Sequence, residues 1–212
     1  MQDVLTRIGQ CRIIPVIALD DADAAVPLAD ALVAGGLPII EITFRTDAAE
    51  RAIRAVAQRG DLLVGAGTVL NVDTAKKARD AGARFIVSPG FNPKVVSWCV
   101  AAGIPITPGV ATPTDIEMAL DHGLGVMKFF PAEPLGGIAM LKAVAAPYGM
   151  MRFIPTGGIG PENIGEYLAF PKVLACGGSW MATKELIAAG QFDKIRDLAR
   201  QAVEVAGRAT EK

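Results

Sequence analysis

Residues 31–46, ALVAGGLPIIEITFRT, contain one unit of a pattern that runs through the chain. An alanine- and leucine-rich stretch closes on Gly36, and a short apolar run rich in isoleucine follows at once. Glycine just past a helix end supplies the left-handed cap that other residues resist. Isoleucines with a threonine suit a strand. The unit therefore reads helix, glycine, strand. The same order returns at Gly60 before DLLVGAGT, at Gly82 before ARFIVSP, at Gly103 before IPITPG and at Gly123 before LGVMKFF. Gly149 continues it before MMRFIPTGG, FPKVLACGGS comes next, and RIIPVIAL stands near the start, so the chain offers eight strand candidates.

The stretches between them read as helices. Thr112-Pro113-Thr114-Asp115 offers an N-cap, a proline at the first helical position and an acid at the third. Asp47 and Glu50 suggest a capping box ahead of Ile53, Val56 and Ala57. Ile138, Leu141, Val144 and Ala145 form an apolar stripe that Pro147 stops, and Ile195, Leu198, Ala202 and Val205 form another.

Strands alternating with helices demand parallel pairing and right-handed crossovers. Apolar strands mean that both sheet faces are covered. Eight such units predict a small (β/α)8 TIM barrel, one domain over residues 1–212 with a short N-terminal helix. A doubly wound open sheet would carry a glycine-rich turn after its first strand. Here IALDDADAA has no such turn, and the glycine pairs lie near the other end.

Composition removes whole classes of function. The formal net charge is -1, without a basic cluster, so nucleic acid is not an expected partner. No apolar run approaches the roughly 20 residues that a membrane span needs. MQDVLTRIGQ lacks the apolar core of a signal peptide, and Cys11, Cys99 and Cys176 are scattered, which together suggest a cytoplasmic chain with reduced thiols. His122 is the only histidine, which argues against a zinc centre or a histidine triad, so no metal is expected.

In this architecture chemistry sits at the carboxyl ends of the strands. In IIEIT, alternation puts Ile39, Glu41 and Thr43 on one face and Ile40 and Ile42 on the other. If the isoleucines face the helices, Glu41 points inward. Likewise Val126, Lys128 and Phe130 share a face in GVMKFFPAE. A lysine here could snorkel to water, but two phenylalanines follow it. Desolvation lowers a lysine pKa and yields the free amine that attacks a carbonyl carbon. A glutamate across the mouth can shuttle the protons of carbinolamine formation and dehydration. The pair fits Schiff-base chemistry.

PTGGIGPENI and CGGSW follow the last two strands, where such folds often bind phosphate. Gly157, Gly158, Gly177 and Gly178 would let the backbone approach an anion, with Thr156 and Ser179 as hydroxyl donors. Arg45, beyond Glu41, is a candidate carboxylate clamp. Thr68 and Pro89 close the third and fourth strands.

EITFRT, VGAGTVLN, FIVSPGFN, IPITPGVATPTDI, KFFPAE, RFIPTGGI and GGSWM together resemble the 2-keto-3-deoxy-6-phosphogluconate (KDPG) aldolases, the class I aldolases of the Entner–Doudoroff route. The resemblance implies that Lys128 is the Schiff-base lysine and Glu41 the general acid/base. It implies Arg45 and Thr68 on the pyruvyl carboxylate, Pro89 and Phe130 as pocket walls, and Thr156 near the substrate hydroxyls. Gly157, Gly158, Gly178 and Ser179 would hold the phosphate. It further implies cleavage of a phosphorylated keto acid to pyruvate and glyceraldehyde 3-phosphate, no cofactor or metal, and a homotrimer. The galactonate epimer and 4-hydroxy-2-oxoglutarate stay open as substrates. So does a phosphosugar isomerase, epimerase or synthase that uses the glycine loops without an imine.

Overall fold

The computed structural model describes residues 2–208; residue 1 and residues 209–212, at the ends of the span expected as one domain, lie outside the described residues. Among the described residues nine strands are present: β1 (Ile13–Ile17), β2 (Ile39–Thr43), β3 (Leu63–Gly67), β4 (Phe85–Val87), β5 (Ile106–Thr107), β6 (Gly109–Val110), β7 (Val126–Phe129), β8 (Arg152–Pro155) and β9 (Cys176–Gly178). Around them lie α1 (Gln2–Cys11), α2 (Ala25–Ala34), α3 (Ala49–Ala57), α4 (Val72–Asp80), α5 (Pro93–Ala101), α6 (Pro113–Asp121), α7 (Gly137–Ala145), α8 (Ile164–Leu168), α9 (Lys184–Ala188) and α10 (Phe192–Arg208).

Every strand pairing is parallel. The order is β5-β4-β3-β2-β1-β9 in one sheet and β6-β7-β8 in the other. Isolated parallel bridges, Phe153 with Val173 and Thr156 with Gly177, tie the region of β8 to that of β9. The result is an α/β fold with a curled parallel sheet. The expected fifth strand, IPITPG, is split into β5 and β6. Pro108 lies between them and has no N–H for a ladder. β5 pairs back to β4 and β6 forward to β7, so the chain changes partner at that residue.

Alternation sorts the strand residues as expected. Ile14, Ile39, Leu63, Phe85, Val126 and Ile154 form an inner cluster, and Val4 and Ile8 of α1 pack into it. Ile40, Ile42, Val64, Ala66, Met127 and Phe129 belong to the outer cluster under the helices. Most of the inner residues begin their strands, so α1 closes the amino-terminal side of the interior. Among the described residues no helix is long and apolar enough to cross a membrane.

Gly36, Gly60, Gly82, Gly103 and Gly123 all have left-handed φ angles, from 68° to 104°. Gly149 does not continue that role, because α7 has already ended at Ala145 ahead of Pro147. The box at Thr112 forms: its hydroxyl accepts from the Asp115 N–H, and the Asp115 carboxylate accepts from the Thr112 N–H at 3.0 Å. The box expected at Asp47 and Glu50 does not form. α3 begins at Ala49 with Ala48 as an uncapped N-cap residue, so Glu50 stands one position too early and instead pairs with Arg54 at 3.1 Å.

Interior space is tight where β3 meets β4. A Cβ at residue 65 would lie 2.1 Å from the Phe85 ring. Gly65→Ala is expected to cost about 1–3 kcal/mol, as overpacking does. A lowered urea midpoint checks this, and adding Phe85→Leu should restore part of the loss.

Candidate active site

Glu41 sits on the inner face of β2 with 3% of its surface exposed. Its side chain lies against the backbone of β3: a Cβ at residue 67 would fall 2.1 Å from Oε1. Only glycine leaves that space. Oε1 is buried, and among the described residues it has no hydrogen-bond partner. Burial pushes the carboxyl pKa above its ordinary 4.5, while the positive charges of Lys128 and Arg45 pull partly the other way.

Lys128 sits on β7 and is 7% exposed, so it does not snorkel to water. Its Nζ lies 4.6 Å from the centre of the Phe130 ring, where the negative face attracts a cation. Among the described residues that nitrogen has no hydrogen bond or ion pair. The Phe130–Pro131 peptide is cis.

The rim follows from the strand ends. Thr43 donates to the Ile17 carbonyl at 2.7 Å, and Arg45 Nε donates to the Thr43 hydroxyl at 3.1 Å. Arg45 itself is exposed. Thr68 holds φ at 56°, a left-handed conformation that is unusual for a β-branched residue. Such strain tends to collect at functional sites. Pro89 presses its carbonyl against β6, where a Cβ at residue 109 would be 2.0 Å from that oxygen.

The glycine loops close the remaining side. Gly157 and Gly158 have φ angles of 100° and 78°. Asn163 fastens their loop by donating to the Gly158 carbonyl and accepting from the Gly160 N–H, both at 2.9 Å. The Glu133 N–H donates to the Gly157 carbonyl at 3.0 Å. Gly178 is backed by the Trp180 ring, which a Cβ would meet at 1.9 Å. Among the described residues the amide N–H groups of Gly158, Ile159 and Ser179 have no acceptor.

These residues line one cavity of about 310 Å3. It gathers Glu41, Arg45, Thr68, Pro89, Lys128, Phe130, Thr156, Gly157, Gly158, Gly178 and Ser179, so every residue expected at the site reaches it. Gly177 lies there too. Val16, Thr43 and Ile159 also line it and were not foreseen. Thr43 shares Glu41's face of the strand and could have been found by alternation. Ile159 simply follows Gly158 in TGGI, and Val16 carries no sequence signal. His122 takes no part: its Nδ1 meets the Met118 carbonyl at 2.8 Å, and its ring stands edge-on to Phe91.

Curled parallel sheet, carboxyl-end cavity, buried lysine and glutamate together make an α/β fold with a site suited to Schiff-base chemistry. Residues 4–198 match the family model described as KDPG and KHG aldolase, and the chain belongs to that family. It is 51% identical over 208 residues to the 2-dehydro-3-deoxy-phosphogluconate aldolase of Treponema pallidum, covering 98% of this chain and 99% of that protein. Among solved structures it is similar to the KDPG aldolase of Zymomonas mobilis with 3-phosphoglycerate, at TM-score 0.88, 41% identity and 95% coverage of both chains. It is also similar to the Legionella pneumophila enzyme with pyruvate captured as a covalent carbinolamine, at TM-score 0.90 and 37% identity, covering 93% of this chain and 96% of that one.

The raised Glu41 pKa makes stability depend on pH. Below 4.5 the carboxyl is protonated in both folded and unfolded chains. As pH climbs from there to the higher folded value, the unfolded chain loses its proton first. Wild-type stability then falls relative to Glu41→Gln, whose side chain does not titrate. The difference in urea midpoint is expected to widen in favour of Glu41→Gln as pH rises from 4.5 and then to level off. A difference independent of pH would contradict the raised value.

Proposed function

We propose that this chain is a class I aldolase that cleaves KDPG reversibly to pyruvate and D-glyceraldehyde 3-phosphate through an imine on Lys128. One observation carries the reading: a buried lysine without hydrogen-bond or ion-pair partner and a buried glutamate with an orphan oxygen line the same cavity. A phosphosugar barrel that works without an imine would give Lys128 no covalent role. Membership of the KDPG and KHG aldolase family supports it.

In this mechanism the Lys128 amine attacks the C2 ketone to give a carbinolamine. Glu41, directly or through a water, protonates the departing hydroxyl; water leaves and an iminium forms. The C4 hydroxyl then gives its proton to the Glu41 carboxylate, and the C3–C4 bond breaks. Its electron pair passes into the iminium, which becomes an enamine as the aldehyde departs. The enamine takes a proton at C3, and hydrolysis returns pyruvate and the free amine. Burial raises the Glu41 pKa, which favours the protonated form that this group needs when it gives a proton.

Arg45, held by Thr43, and Thr68 grip the pyruvyl carboxylate, and Pro89 and Phe130 wall the methyl side. Thr156 meets the substrate hydroxyls. Gly157, Gly158, Gly178 and Ser179 receive the phosphate, with the free amides of Gly158 and Ser179 as donors. Remote phosphate binding then helps to place the C3–C4 bond. On this reading the two parallel sheets are arcs of one closed (β/α)8 barrel, with β5 and β6 as halves of a single stave. The chain works as one domain, in the cytoplasm, and as a homotrimer by its likeness to the family.

Incubation with pyruvate, reduction with borohydride and peptide mass analysis are expected to place the adduct on the peptide that holds Lys128. Its absence there sinks the imine and favours a non-covalent phosphosugar enzyme. Separately, Glu41→Gln is expected to slow KDPG cleavage by at least about a hundredfold, the usual scale for losing a general acid/base. Steady-state release of pyruvate measures it, and an unaltered kcat would remove Glu41 from the role.

A further inference from the structure

Beside the cavity lies a second recess of about 420 Å3 that the chemistry above leaves unused. Val16, Arg45 and Ser179 line both, so the two spaces meet at the loop placed on the phosphate. Across the recess stand Ala18, Thr183, Lys184 and Glu185. Small Ala18 leaves the passage open.

KDPG is an anion at both ends. The cavity answers its carboxylate with Arg45, but the glycine amides and the Ser179 hydroxyl are neutral donors. A phosphate bears most of two negative charges and prefers charged donors. Besides Arg45, which is placed on the carboxylate, the recess contains one. Lys184 Nζ lies 2.7 Å from Asp20 Oδ2, with the side chains 49% and 68% exposed. Ion pairs so open to water are weak and easily exchanged. The carboxylate that lines the recess, Glu185, has its pKa lowered by its own backbone N–H and the Thr183 hydroxyl.

We propose that Lys184 leaves Asp20 to pair with the substrate phosphate beside Ser179, making it the residue that favours phosphorylated keto acids. This rests on the functional reading above, whose own test is the Lys128 adduct. Lys184→Gln is expected to raise KM for KDPG about tenfold, the lower end for a charged hydrogen bond. The effect should fall on KM far more than on kcat, and raised salt should shrink it. Half-saturation of borohydride trapping by pyruvate, which has no phosphate, should move much less. Lys184→Arg should recover most of the affinity, and Asp20→Asn should lower KM. A KM for KDPG that Lys184→Gln leaves alone overturns the proposal, as does equal weakening toward KDPG and pyruvate.

If the wild type cleaves no KDPG, the functional reading fails and the recess is judged by inorganic phosphate. Its phosphorus resonance should broaden with the wild type and clearly less with Lys184→Gln at the same concentrations. Broadening that the substitution leaves undiminished, or none with the wild type, overturns the role of Lys184.

Discussion

Room is the constraint on which this molecule depends. Parallel strands that curl send every second side chain inward, and the interior cannot hold a large one at every inward position. Glycine resolves the conflict in pairs. Gly65 yields to the Phe85 ring, Gly67 to the Glu41 carboxylate, and Gly109 to the Pro89 carbonyl. At these three places the group that is kept faces bare backbone on the next strand. The site is therefore not laid over a finished core. The same alternation that packs Ile39, Leu63 and Phe85 below sets Glu41 and Lys128 above them.

The cavity joins two physical regimes. Its floor is buried, and there Glu41 is held with its proton favoured by burial and, among the described residues, an oxygen left without a partner. Leaving such an atom unsatisfied costs stability, which is tolerable where the atom has chemistry to do. Its rim is wet: Arg45, Gly158 and Ser179 are exposed. On the proposed reading, charges that a substrate brings with it are met at the rim, and bonds that change are met at the floor. That division lets a doubly anionic molecule bind without carrying all its charge into a low-dielectric interior.

Much of this was legible in the chain, for definite reasons. Five helix-ending glycines announced the repeat because a left-handed φ excludes most other residues. The period of two in IIEIT placed Glu41 inside, since only one register buries the isoleucines under helices. Other features depend on atoms distant in sequence. Asp47 looked like a cap, but the helix starts a residue later than its side chain could serve. Gly149 fitted the spacing, yet Pro147 had already set the end of its helix. The left-handed Thr68 carries no local signal, because its conformation belongs to a strand end bent over the cavity wall. Val16 enters the site only because β1 lies between β2 and β9.

The helix under the sheet has a kinetic side. Val4 and Ile8 stop the interior from below, so on the proposed reading reactants come and go at the carboxyl ends of the strands. A lyase that makes two products must then run a queue. The aldehyde, standing nearer the exit, leaves before the three-carbon fragment, and the water that frees this fragment enters along the path just vacated. In the synthetic direction the same route reverses the order: the keto acid must be seated before the aldehyde arrives. A plugged floor thereby turns a reversible bond cleavage into an ordered sequence of arrivals and departures.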